Sequence, residues 1–152
     1  MDYYISIDGG GTKIQAILFS GDLELISSAT ATSANAVSLG KEAIQNNLRN
    51  CFDLLFKNTN VTTVKKVYSC ILCPAPYYLE VLEDYVEVLD YKGYPEGISG
   101  LYAGGVTDSG IVVISGTGSH VSYIRNRNLE DVVGGWGAMV SDEGSGYYAG
   151  RM

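Results

Sequence analysis

The chain has 152 residues, 46% hydrophobic and 18% charged, a balance that excludes disorder and predicts a sizeable core in one domain, or one domain plus part of another. A net charge of −7 without any run of basic residues argues against nucleic acid or an anionic membrane as partner, and leaves a local phosphate site open. Glycine is the outlier: 19 residues, against a usual share of ~7%, gathered in clusters as in loops that approach a ligand closely.

The opening residues Met1-Asp2-Tyr3-Tyr4-Ile5 carry no basic leader, and no apolar stretch approaches the ~20 residues of a membrane span. Three cysteines, Cys51, Cys70 and Cys73, are an odd number without a secretory signal, which fits a reducing compartment. A cytoplasmic location is expected.

Tyr3–Ile7 reads as a first strand and Ile14–Phe19 as a second, joined by Asp8-Gly9-Gly10-Gly11-Thr12 into a hairpin. Leu25–Ala31 reads as a third strand. Ser38 is the expected N-cap of a helix whose apolar positions are Ala43, Ile44, Leu48, Cys51, Phe52, Leu55 and Phe56. Lys65–Leu72 reads as a fourth strand. Tyr78, Leu79, Leu82, Tyr85, Val86 and Leu89 predict a second helix, with Glu80, Glu83, Asp84, Glu87 and Asp90 as its solvated face. Strands mixed with helices in this order predict an α/β domain, a hairpin leading into parallel crossovers.

The segment Val112–Val121 echoes Ile5–Ile14: apolar strand, small-residue turn with a hydroxyl, second strand. The chain thus reads as one complete lobe, 1–108, and the start of a second, 109–152, with the boundary near Asp108. After the second hairpin come Arg125-Asn126-Arg127-Asn128, Gly134-Gly135-Trp136-Gly137, Ser141–Ser145 and the start of a helix.

The turn Asp8–Lys13 can offer backbone N–H groups to phosphate oxygens, with the Thr12 hydroxyl and Lys13 ammonium as further donors. Asp8 at a strand end suits a hydrated Mg²⁺. The spacing is neither a P-loop nor a dinucleotide fingerprint. The alternative is a tight hairpin that needs glycine only for its geometry. Cys70-x-x-Cys73 could be a redox pair only in an exposed turn, and a zinc site only with a second ligand pair. Cys70 lies in an apolar run, so both read as core or near-core thiols.

Asp8-Gly-Gly-Gly-Thr12-Lys13, Ser115-Gly-Thr-Gly-Ser119, Gly134-Gly-Trp-Gly137 and Asp142-Glu-Gly-Ser-Gly146, in that order, resemble the N-acetylglucosamine kinase family. More widely they resemble the benzoyl-CoA-reductase-activator type ATPases of the actin, hexokinase and heat-shock ATPase superfamily. The resemblance implies a ribonuclease-H-like, actin-like ATPase lobe, a mixed sheet flanked by helices, plus the first hairpin of a second lobe. It implies ATP and Mg²⁺ as cofactors, with Asp8 at the metal. Gly10, Gly11, Thr12, Lys13, Gly116, Thr117 and Gly118 would hold ATP phosphates. Asn35, Ser119, Gly135, Trp136, Gly137 and Asp142 would contact the sugar, together with His120, which stands where the family usually has asparagine. Two of these have bland alternatives: Trp136 as a core residue and Asn35 as a turn residue.

Glu96 falls where the family places its catalytic aspartate, the base for the sugar hydroxyl; the alternative is a carboxylate favoured by a helix N-terminus. Cys70–Pro76 replaces a glycine-containing loop of the family. The function so implied is ATP-dependent amino-sugar phosphorylation, in a chain that reads as the N-terminal half of a longer kinase or as a short relative without turnover. A non-catalytic sugar- or phosphate-binding module, or a subunit completed by association into a homo-oligomer, and an ATPase activator of a radical dehydratase are the alternatives.

Overall fold

The computed structural model describes residues 1–152, which form two compact units, Met1–Gly93 and Tyr94–Met152. The first contains β1 (Tyr3–Gly9), β2 (Lys13–Ser20), β3 (Leu25–Thr32), α1 (Lys41–Phe56), β4 (Thr63–Val64), β5 (Lys66–Ile71), α2 (Ala75–Leu82), β6 (Glu87–Val88) and β7 (Tyr91–Gly93). Its main sheet runs β3-β2-β1-β5-β7. The first three strands are antiparallel, and β5 and β7 add in parallel. This is the expected α/β, ribonuclease-H-like architecture, a hairpin extended by parallel crossovers.

Period two builds the sheet and period 3.6 builds its cover. Ile5 and Ile7 of β1, Ile14, Ala16 and Leu18 of β2 and Val67 of β5 are buried, as are Ile44, Leu48, Cys51, Phe52 and Leu55 of α1, in one cluster. Each large side chain so buried contributes about 1.5–3 kcal/mol. The alternate residues of the sheet form an aromatic row, Tyr4 stacking on Phe19 at 5.6 Å and on Tyr68 at 6.4 Å.

Two local expectations need correction. Gly40, not Ser38, precedes α1, and no side chain caps it; the Ser38 hydroxyl instead donates to the Asn35 carbonyl at 3.3 Å. The second helix ends at Leu82, and the chain turns into β6 and β7, because Glu87 and Val88 pair with Thr63 and Val64 while Tyr91–Gly93 pair with Val67–Ser69. Non-local sheet pairing thus overrides the local helical pattern. The acidic residues Glu80, Glu83, Asp84, Glu87 and Asp90 are all exposed, as expected of a solvated face, and three of them make surface ion pairs: Glu80 with Lys41, Asp84 with Arg49 and Asp90 with Lys66. The Lys41 hydrogen bond holds the Glu80 carboxyl below its ordinary range, and Lys66 does the same for Asp90.

The second unit contains α3 (Glu96–Ala103), β8 (Gly110–Ser115), β9 (Ser119–Arg125), β10 (Asn128–Gly134) and α4 (Gly146–Arg151). Its antiparallel sheet runs β10-β9-β8, so the hairpin carries a third strand between Asn128 and Gly134. Ile98 and Leu101 of α3 are buried with Ile124 of β9, which groups residues 94–108 with this sheet rather than with the first. The echo also slips at the turn. Ser115 pairs with Ser119, whereas Asp8 pairs with Gln15, so the second hairpin is tighter. Ile14 is therefore buried opposite Gly9, whereas Val121 pairs with Val113 on the exposed side of its sheet.

Candidate functional site

In the first unit the candidate residues gather at the C-terminal end of β1. Asp8, exposed, lies between Gln15 of β2 and Cys70 of β5 in the ladder. Gly9 must be glycine: a Cβ there would stand 2.5 Å from Ile71 Cγ1. The Gly10 amide donates to the Lys13 carbonyl at 3.0 Å, so it closes the turn. Thr12 and Lys13 are exposed at the tip, where a hydroxyl and an ammonium can meet a phosphate.

The segment 33–39 lies against this hairpin. Ser33 Oγ donates to the Gly10 carbonyl at 3.1 Å and accepts from the Asn35 amide at 3.1 Å. Asn47 Nδ2 of α1 donates to the Ser33 carbonyl at 2.7 Å. Asn35 Oδ1 accepts from the Val37 amide at 2.9 Å, an Asx turn, so the turn role of Asn35 is real, and Nδ2 makes no hydrogen bond within the chain. Sequence reasoning passed over Ser33, although it sits two residues before Asn35.

In the second unit one glycine motif is bound to another. Ser115 Oγ donates to the Gly144 carbonyl at 2.8 Å, and Ser119 Oγ to the Glu143 carbonyl at 2.9 Å. In return the Gly146 amide donates to the Gly116 carbonyl at 2.7 Å. Ser145 caps α4, accepting from the Tyr148 amide at 3.0 Å. The hairpin Gly116–Gly118 and the segment Asp142–Gly146 thus form one piece. Asp142, only 8% exposed, packs on Gly118, where a Cβ would meet its Oδ2 at 3.0 Å. Its Oδ1 is buried without a hydrogen-bond partner. Such an orphan carboxylate oxygen costs free energy unless a ligand donates to it.

The loop Gly134–Gly137 stands next to His120. Gly134, Gly135 and Gly137 have φ of +81°, +73° and +90°, the left-handed region that favours glycine, and a Cβ on Gly135 would meet His120 Cβ at 3.2 Å. Trp136 between them is 76% exposed; the core alternative for it is overturned. The structure thus brings Gly116–Gly118, Ser119, His120, Gly135 and Asp142 into one unit, and Asp8, Gly10–Lys13 and Asn35 into the other. Glu96 is exposed in the first turn of α3. Of the two thiols read as core or near-core, Cys73 packs on the core, whereas Cys70 is half-buried and lies outside that cluster; Cys51 is buried, and burial pushes the Cys51 and Cys73 thiols up to about 11.

No three His, Cys, Asp or Glu side chains gather into a metal cage. The exposed carboxylate of Asp8 nevertheless fits Mg²⁺, which takes one or two carboxylates and keeps several waters. No helix is long and apolar enough to cross a membrane.

Comparison with known proteins decides the family. The BadF/BadG/BcrA/BcrD ATPase family matches residues 5–152. The chain belongs to this family. It is 31% identical to an N-acetylmuramic acid/N-acetylglucosamine kinase of Clostridium acetobutylicum over 99% of this chain and 51% of that protein. It is 23% identical to an N-acetyl-D-glucosamine kinase of Dictyostelium discoideum over 98% of this chain and 52% of the relative. The chain spans about half the length of the curated relatives it matches. Among solved structures, a Chromobacterium violaceum protein assigned as an N-acetylglucosamine kinase superposes with a TM-score of 0.76 at 22% identity, over 99% of this chain and 55% of that one. At that identity the likeness shows the fold, which this ATPase-family chain shares.

Proposed function

We propose that this chain supplies the phosphate-binding hairpins and the sugar-binding loops of an ATP-dependent amino-sugar kinase, with N-acetylglucosamine as the acceptor. The observation that carries the reading is Asp142: a buried carboxylate oxygen without a partner, resting on the glycine of a phosphate-type hairpin. A sugar hydroxyl is the donor that such an oxygen lacks, and Trp136, exposed in its glycine loop, can lie along an apolar ring face. The curated relatives carry the same activity in their names.

In this reading Thr12, Lys13 and Thr117 hold ATP phosphates, and Asn35, Ser119, His120, Gly135, Gly137 and Asp142 orient the sugar. Mg²⁺ at Asp8 would neutralise phosphate charge. The sugar hydroxyl oxygen forms the new bond to the γ-phosphorus, the bond to the ADP oxygen breaks, and Glu96 takes the hydroxyl proton. Positioning and charge neutralisation supply most of the rate in phosphoryl transfer.

Calorimetric titration of N-acetylglucosamine into the wild-type chain and into Asp142→Asn tests the sugar site. Saturable binding that weakens about 10- to 100-fold in the variant is expected, the range for losing a hydrogen bond to a charged group. Absence of binding to the wild type, or equal affinity in both, overturns the assignment. Transfer itself is read as N-acetylglucosamine-dependent ADP release from Mg-ATP by the protein that contains this chain.

A further inference from the structure

We infer that Ser33 is a positioning residue that couples the sugar loop to the phosphate hairpin of the first unit. The inference rests on the function proposed above and adds a route by which one ligand prepares the site for the other. A single oxygen makes the link: Ser33 Oγ gives its proton to the Gly10 carbonyl at 3.1 Å and receives the Asn35 amide proton at 3.1 Å. These contacts join segments more than twenty residues apart in the chain.

Both ends of the link are otherwise held tightly, so a shift at one is passed on rather than absorbed. At the hairpin, the Gly10 amide is committed to the Lys13 carbonyl at 3.0 Å, and the Gly9 carbonyl accepts from the Leu72 amide at 3.0 Å. At the loop, the Asn35 carboxamide holds the Val37 amide at 2.9 Å, the Ala36 amide donates to the Leu72 carbonyl at 2.9 Å, and Asn47 of α1 pins the Ser33 carbonyl at 2.7 Å. Leu72 is thus a second fixed point, touching the hairpin with its amide and the loop with its carbonyl. The Ser33 hydroxyl is the one side-chain group of this frame whose donor and acceptor directions serve different subsites. A hydroxyl that donates to one group is polarised as an acceptor for the next, so the two bonds strengthen together.

A sugar held at Asn35 strengthens the Asn35 amide to Ser33 bond. That fixes the Gly10 carbonyl, and with it the turn carrying Thr12 and Lys13. The expected result is positive coupling: sugar raises phosphate affinity, and phosphate raises sugar affinity by the same factor.

Titration of Mg-pyrophosphate with and without saturating N-acetylglucosamine, and the reverse pair, measures that factor. In the wild type it should be about fivefold or more, the lower end of common coupling strengths. In Ser33→Ala it should fall to about one whatever happens to either single-ligand affinity, and in Ser33→Thr, which keeps the hydroxyl, it should persist. Ser33→Cys keeps the side-chain shape with a slightly larger atom but offers only a weak donor and acceptor, and serves if alanine unfolds the chain; it should also lose the coupling. A role confined to stability would weaken both ligands and leave the factor intact. Coupling that survives in Ser33→Ala and Ser33→Cys, or two ligands that bind the wild type independently, overturns the relay while leaving the proposed function standing. A wild type that binds neither ligand removes both.

Discussion

A Cβ built on Gly97 would stand 2.5 Å from Ser122 Oγ and 2.6 Å from Ser122 Cβ. One turn later Gly100 repeats the approach, its Cβ position lying 2.7 Å from Val112 Cγ1. Two glycines on one face let α3 sit close on its sheet and bury Ile98 and Leu101 against Ile124. Gly97→Ala should therefore destabilise the second unit by about 1–3 kcal/mol, the usual cost of overpacking. Thermal denaturation followed by circular dichroism checks this. Ser122→Gly in the same chain, which removes both clashing atoms, should recover most of the loss; if it does not, the contact is not the cause.

Burial holds the Cys51 and Cys73 thiols up to about 11. A raised pKa stabilises the fold fully below the unfolded value, near 9, and that contribution is lost as pH rises through the folded value. The urea midpoint should fall between pH 9 and about 11, and Cys51→Ala should flatten that fall. At pH 8 both thiols should react slowly with iodoacetamide in the folded chain and quickly in urea, as read by mass spectrometry.

Trp136 is the sole tryptophan and lies open to solvent. Its emission should be red-shifted and readily quenched by acrylamide in the free chain. N-acetylglucosamine should shift the emission to the blue and lower the quenching constant. Unchanged emission at a sugar concentration that saturates calorimetric binding would place the indole away from the sugar.

Asp8→Asn should weaken Mg-pyrophosphate binding and leave the smaller metal-free affinity nearly unchanged, because the carboxylate acts through the cation. The side chain is exposed, so the melting temperature should hardly move. Equal loss with and without Mg²⁺ would give Asp8 a direct role in shaping the turn instead.

Strand and helix positions were legible wherever one face is buried. The period-two pattern of β1 and β2 and the helical stripe of α1 are both written in the order of their apolar residues, and both are found. The second helix is cut short where pairing is non-local. Glu87–Val88 and Tyr91–Gly93 carry residues compatible with a helix, and only their partners Thr63–Val64 and Val67–Ser69 make them strands. Candidate site residues were visible as glycine and hydroxyl clusters, since those residue types are needed wherever backbone meets ligand. Their connections were not: nothing in the order of residues says that Ser119 bonds to Glu143 or that Ser33 reaches Gly10.

The sequence by itself determined the α/β class and the two glycine hairpins, and it marked the candidate site residues, because hydrophobic period and backbone freedom are local properties. Tertiary structure alone decided that Trp136 lies outside the core, that Asp142 is buried with an oxygen unpaired, and that one serine oxygen spans the first glycine turn and a neighbouring loop. Burial and hydrogen bonding depend on which distant segments are brought together, and the free energy that brings them together is shared over the whole core.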